Sequence, residues 1–99
     1  MANKEQTSSE KERVFDYSIG MHGDVTREVG RDLENVGFKK RWFRSVYVGK
    51  KEPYIGVEIR VEVFADDVLS FCSNLETYAS CTAPNSVIEK LRPVFGKYI

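Results

Sequence analysis

Between Ile55 and Val63 every odd position is Ile or Val, while positions 58, 60 and 62 are Glu, Arg and Glu. A repeat of two belongs to a strand, because successive side chains on a pleated backbone leave on opposite faces. Ile55, Val57, Ile59, Val61 and Val63 therefore line one face, and Glu58, Arg60 and Glu62 the other. Such a strand needs a sheet with one packed face and one wetted face, and a second layer to cover the packed side. The chain has 99 residues, enough for one core and no more.

The other elements are read around this strand. Phe15, Tyr17, Ile19 and Met21 alternate with Asp16, Ser18 and Gly20, a half-buried strand beginning at Val14. Gly20-Met21-His22-Gly23 closes it as a tight turn. Asp24 stands as an N-cap before Val25, Val29, Leu33 and Val36, which form one apolar stripe of a helix. Arg27, Glu28, Arg31, Asp32 and Glu34 fall on its polar side, and Gly37 sits where a left-handed C-cap is expected. Phe38 to Val48 is predicted as one strand, and Gly49 to Pro53 as the turn of an antiparallel hairpin with the Ile55–Val63 strand.

After that hairpin, Asp66 or Asp67 caps a predicted second helix whose apolar face is Val68, Leu69, Cys72, Leu75 and Tyr78 or Ala79. Ser80 to Ala83 is a break. Pro84-Asn85-Ser86 opens a shorter helix with Val87, Ile88 and Leu91, which Pro93 is expected to end or kink. Val94, Phe95, Tyr98 and Ile99 either pack as a C-terminal arm or pair as a last short strand. Residues 1–12 are a charged tail without an apolar anchor, expected to be disordered. Residues 13–99 form a single α+β domain of order β-α-β-β-α-(α). Its expected sheet has three strands, including an antiparallel hairpin, with helices packed on one face. This resembles a ferredoxin-like domain truncated at its last strand.

Charge is unevenly distributed. Residues 36–51 carry six positive side chains and no negative one; residues 1–35 carry five positive against eight negative, and residues 52–99 four against seven. A net charge of zero thus hides a basic band between acidic flanks, a landing place for a partner of opposite charge. Trp42, Arg44, Val46 and Val48 share one face of the predicted strand, and Arg41, Phe43, Ser45 and Tyr47 the other. Val46 and Val48 are expected inward with Trp42 over the rim, leaving Phe43 and Tyr47 outward. One residue of register reverses this. The candidate binding residues are Lys39, Lys40, Arg41, Trp42, Phe43, Arg44, Tyr47, Lys50 and Lys51. Aromatic side chains among arginines suit a protein interface, a second copy of the chain included. The same pattern suits stacked bases with lysines on phosphates, so nucleic acid is the alternative partner.

No catalytic residue, cofactor or metal site is assigned. His22 is the one histidine and reads as a loop residue; Asp16, Asp24, Asp66 and Asp67 match no calcium-loop spacing. Cys72 and Cys81 read as reduced thiols of a cytoplasmic protein. The N-terminal residues lack the apolar stretch of a secretory signal, and no apolar run approaches the roughly 18 residues that span a bilayer.

VFDYS near the start, followed by LENVGFKKRWFRSVYVG, resembles the opening of the Cas2 and VapD ribonuclease families. The resemblance implies a ferredoxin-like dimer with metal-dependent ribonuclease activity, Asp16 standing for the aspartate that ends strand one and Ser45-Val46-Tyr47 for the strand-two motif. The chain departs from that pattern in a longer segment between Asp16 and Ser45 and in a second strand that turns straight into the third. The leading expectation is a small binding protein that presents its sheet and basic hairpin to a protein partner.

Overall fold

A computed structural model describes residues 13–41, 45–65 and 75–99. Strand β1 (Val14–His22) leads into helix α1 (Thr26–Val36); β2 (Phe38–Lys40), β3 (Val46–Gly49), β4 (Glu58–Ala65) and β5 (Leu75–Pro84) follow, and helix α2 (Asn85–Gly96) ends the chain. The strands form one antiparallel sheet in the order β1-β5-β4-β3-β2. The domain is α+β as expected, but five strands stand where three were predicted. β1 and β2 lie at opposite edges, with α1 carrying the chain between them. From β2 the sheet returns as a meander until β5 closes against β1, so the expected truncated ferredoxin-like arrangement does not form.

Two local corrections account for the extra strands. Residues 38–48 are not one strand. β2 turns back on β3, pairing Phe38 with Gly49 and Lys40 with Tyr47. The stretch from Leu75 is not helical either. Its inward row is Thr77, Ala79, Cys81 and Ala83, a period of two in small side chains that apolar spacing alone underweights. β5 is an interior strand, hydrogen-bonded to β1 on one side and β4 on the other, which satisfies its backbone on both edges. Asp66, Asp67, Val68, Leu69 and Cys72, and the tail over residues 1–12, lie outside the described residues.

Both helices cover the same face. Val29 and Leu33 of α1 and Val87, Ile88, Leu91 and Phe95 of α2 share one core with Met21, Ile59, Val61 and Ala79 of the sheet. The predicted α1 stripe is therefore the buried one, and Gly37 takes the left-handed cap at φ +116°. The N-cap position is Val25, without a side-chain cap, rather than the expected Asp24; Asp24 instead closes the turn before α1, accepting from the Thr26 amide at 3.2 Å and the Thr26 hydroxyl at 2.8 Å. α2 opens at Asn85 as predicted but runs through Pro93 to Gly96. Leu91 and Phe95, 0% and 1% exposed, flank the proline, and their burial outweighs the single hydrogen bond that the ring removes. The segment after α2 forms turns rather than a strand: the Tyr98 amide donates to the Phe95 carbonyl, and the Tyr98 carbonyl accepts from the His22 amide at 3.1 Å.

Candidate functional site

With both helices on one side, the other face of the sheet is bare among the described residues, and register decides what it presents. Ser18, Ser80, Arg60 and Val46 form one row across β1, β5, β4 and β3. Gly20, Tyr78 and Glu62 form the next, and His22, Glu76 and Phe64 the one beyond. On the other side of the first row, Asp16 pairs with Thr82, and Glu58 with Val48. The Thr82 hydroxyl donates to Asp16 at 2.8 Å. A shallow concavity of about 560 Å³ lies here, lined by Asp16, Ser80, Thr82, Glu58, Arg60 and Val46 among others.

Toward the β4–β5 end the face turns aromatic. The Phe64 and Tyr78 rings lie 5.5 Å apart, and Phe64 is 50% exposed. The Tyr78 ring covers Gly20 directly across the strand pair: a Cβ on Gly20 would stand 3.2 Å from it. Glycine thus lets the ring lie flat on the sheet. The Tyr78 hydroxyl donates to Glu76 at 2.6 Å.

The sequence-predicted binding residues are dispersed by this geometry. Arg41 pairs with Glu58 at 2.6 Å on the bare face, with both side chains about half exposed. Lys39 is exposed opposite Val48 and belongs to that face by alternation. Lys40 pairs with Tyr47 and belongs to the helix-covered side. Lys50 and Lys51 sit at the far end of the β2–β3 hairpin, where the Lys50 amide donates to the Gly37 carbonyl and the Lys51 stem lies over Gly37. The five described cations of the band therefore do not share one face. Trp42, Phe43 and Arg44 lie outside the described residues.

Tyr47 is a correction. It was expected to face outward, but it is 7% exposed and packs into the core beneath α1. Val46 and Val48, expected on the helix-covered side, fall by register on the other face, Val46 opposite Arg60 and Val48 opposite Glu58, although Val46 is itself buried. The register is shifted by one from the expected one because β3 pairs Tyr47 with Ile59, the inward row of β4.

A second concavity lies on the covered side, between α1 and the β2–β4 part of the sheet. It measures about 640 Å³ and is lined by Arg27, Arg31 and Glu34 of α1, Lys40 and Tyr47 of the hairpin, and Val61, Glu62 and Val63 of β4, with Thr26, Gly30 and Ser45. Burial and the nearby Glu34 carboxylate push the Tyr47 phenol above its ordinary range. In the sequence Arg27 and Arg31 are only the solvated side of a helix; nothing there joins them to Lys40. Phe64 had a signal that went unused: it is the apolar residue in an otherwise charged even row after Glu58, Arg60 and Glu62.

Cys81 is a free, half-buried thiol whose ionisation burial pushes upward. His22 is exposed at the end of β1. Asp16 meets Thr82, and among the described residues no three His, Cys, Asp or Glu side chains converge as a metal site would need. No helix among the described residues is long and apolar enough to cross a membrane. No family model, no curated protein and no solved structure matches the chain.

Proposed function

We propose that the chain is a small non-catalytic binding protein, a regulator, adaptor or inhibitor, whose bare sheet face takes a protein partner. One observation carries this: a five-stranded sheet whose two helices among the described residues cover one face, while the other carries both signs of charge around an aromatic pair, exposed Phe64 and part-exposed Tyr78. Asp16, Glu58, Glu62 and Glu76 share it with Lys39, Arg41 and Arg60. Such a surface has no net attraction for a polyanion, whereas charge pairs that fix register around an aromatic anchor are usual in protein interfaces. The division of the basic band between faces supports the same preference over nucleic acid. A cytoplasmic setting belongs to the proposal, supported by the free Cys81 thiol.

The test compares affinity capture from the native cell by the wild-type chain and by Arg60→Glu/Phe64→Ser, alongside sedimentation of the purified protein and titration with labelled RNA and DNA at two salt concentrations. A protein, or a second copy of the chain, that binds the wild type and is lost by the double variant supports the reading. Equal capture by both chains removes the bare face from it. Steeply salt-dependent oligonucleotide binding, abolished by Lys39→Glu/Lys40→Glu, would replace it with nucleic-acid recognition.

A further inference from the structure

The sheet has two edges, and they are not alike. β2 is three residues long and carries exposed Lys39 and Lys40, the kind of short, charged edge that resists pairing with another chain. β1 is nine residues long, has neither lysine nor proline, and pairs with β5 in one unbroken register. Val14 and Phe15 at its start are 58% and 46% exposed.

The direction of the backbone groups along β1 follows from two hydrogen bonds. The Gly23 amide donates to the Leu75 carbonyl at 2.8 Å, which sets the odd-numbered residues of β1 toward β5. The His22 amide donates the other way, to the Tyr98 carbonyl at 3.1 Å. Val14, Asp16, Ser18 and Gly20 therefore also aim their amides and carbonyls outward, and all of them are exposed. Among the described residues none of these backbone groups has a hydrogen-bond partner. The C-terminal turn thus closes the edge at His22 and leaves Val14 to Gly20 open. A row of unpaired groups on an extended backbone is a template for another strand.

The open run is complementary to itself. Its centre is Tyr17, and an antiparallel copy turned about that point sets Val14 opposite the partner's Gly20 and Asp16 opposite the partner's Ser18. Every outward group then finds a complement, and Asp16 stays clear of the partner's Asp16. Phe15 comes opposite the partner's Ile19 on the helix-covered face, where Ile19 already packs against the core. Over Tyr17, the Arg92 guanidinium of α2 lies 5.4 Å from the ring centroid and pairs with Glu89 at 3.1 Å. A two-fold axis reverses the second such pair relative to the first, so opposite signs meet across the junction. We infer that the chain forms a two-fold homodimer through the Val14 to Gly20 edge of β1, joining two sheets into one. The contact is independent of the bare face, and it lays the bare faces of both copies side by side. Pairing over this run buries less than the roughly 800 Å² per partner of a standard interface, so the dissociation constant falls at about 10–100 μM.

The test is sedimentation of the full chain from about 1 μM to about 1 mM, a range that brackets this affinity, with amide hydrogen exchange at both ends of it. The mass should rise from one chain to two and no further. The amides of Val14, Asp16, Ser18 and Gly20 should exchange about fivefold more slowly, or slower still, at the high concentration, while that of His22, already bonded to Tyr98, should not change. Ser18→Pro removes an amide that the monomer leaves unbonded, and an edge strand accepts proline at such a position, so this variant should fold and stay monomeric. Ser18→Asp sets like charges opposite the partner's Asp16 on both sides of the axis and should weaken the dimer about fivefold, whereas Ser18→Lys should tighten it. These two substitutions decide the matter if proline disturbs β1. Arg31→Gln, on α1 and away from this edge, should change nothing. A single-chain mass over the whole range would overturn the proposal, as would a dimer indifferent to Ser18→Asp and Ser18→Lys. A dimer lost by Arg60→Glu/Phe64→Ser but not by the Ser18 substitutions would move the contact to the bare face, and masses beyond two chains would replace the closed dimer with open-ended pairing.

Discussion

Thr77 is fully buried, yet its hydroxyl has two partners in the β1–α1 turn. It accepts from the Val25 amide at 3.0 Å and donates to the Gly23 carbonyl at 2.7 Å. One side chain on β5 thus satisfies two backbone groups of the turn that leads into α1. Thr77→Val keeps the shape and strands both groups, so it should cost about 1–3 kcal/mol in urea unfolding. An unchanged midpoint would mean that water or a backbone shift replaces the hydroxyl. Asp32 and Tyr98 form another such pair. The Tyr98 hydroxyl donates to the Asp32 carboxylate at 2.5 Å, and Lys97 reaches the same oxygen at 3.1 Å. The Tyr98 hydroxyl, ahead of Lys97, holds the Asp32 carboxyl below its ordinary value of 3.8. Burial, and then the bond to Asp32, pushes the Tyr98 phenol from 10.0 to about 12. The signs are opposite. Asp32 stabilises the fold above its unfolded value, and that contribution is lost as pH falls through the lowered folded value. Tyr98 stabilises below about 10, and its share is lost as pH rises toward about 12. Tyr98→Phe should move the Asp32 carboxyl titration upward by NMR; an unmoved titration would assign the shift to Lys97.

Among the elements, α1 keeps a glycine in mid-helix against its own propensity. Gly30 in mid-helix costs about 1 kcal/mol relative to Ala, so Gly30→Ala would stabilise an isolated helix. In the folded chain the new Cβ meets the Tyr47 hydroxyl at 2.1 Å, and overpacking of this kind costs about 1–3 kcal/mol. Gly30→Ala should therefore destabilise the protein. In a Tyr47→Phe background the loss should shrink, because only the ring carbon at 3.0 Å remains in the way. Additive effects in this double-mutant cycle would separate Gly30 from Tyr47. α2 shows the reverse balance: Pro93 opposes the helix locally, while the neighbouring buried residues Leu91 and Phe95 hold it in place.

At the scale of the whole molecule, the longest strand pair joins the two ends of the described chain, Val14 facing Pro84 and His22 facing Glu76. Most of the chain must be closed into a loop before this pair forms, and loop closure costs entropy that its contacts return only late. Folding should therefore take about milliseconds to seconds rather than microseconds, as for other domains dominated by non-local pairing. Stopped-flow refolding measures this, and a microsecond phase accounting for the whole amplitude would contradict it. The same topology divides the molecule's chemistry. Among the described residues one face of the sheet carries no helix, and the concavity under α1 lies on the other.

The sequence by itself determined the local pieces: the alternation of β1 and β4, the apolar stripe and glycine cap of α1, the start of α2, and the α+β class. Each is set by side chains close together in the chain, where a period of two or of about 3.6 is enough. Tertiary structure decided what those periods leave open. Leu75 to Ala79 fits a helical spacing and a strand alternation alike, and two neighbouring strands with unpaired backbone groups made it β5. Phe38 to Val48 fits one strand as well as two, and the pairing of Tyr47 with Ile59 settled its register and sent the tyrosine inward. Arg27, Arg31, Lys40 and Tyr47 line one concavity because a helix crosses the sheet from edge to edge. No local pattern encodes that, since their proximity is fixed by the packing of the whole core.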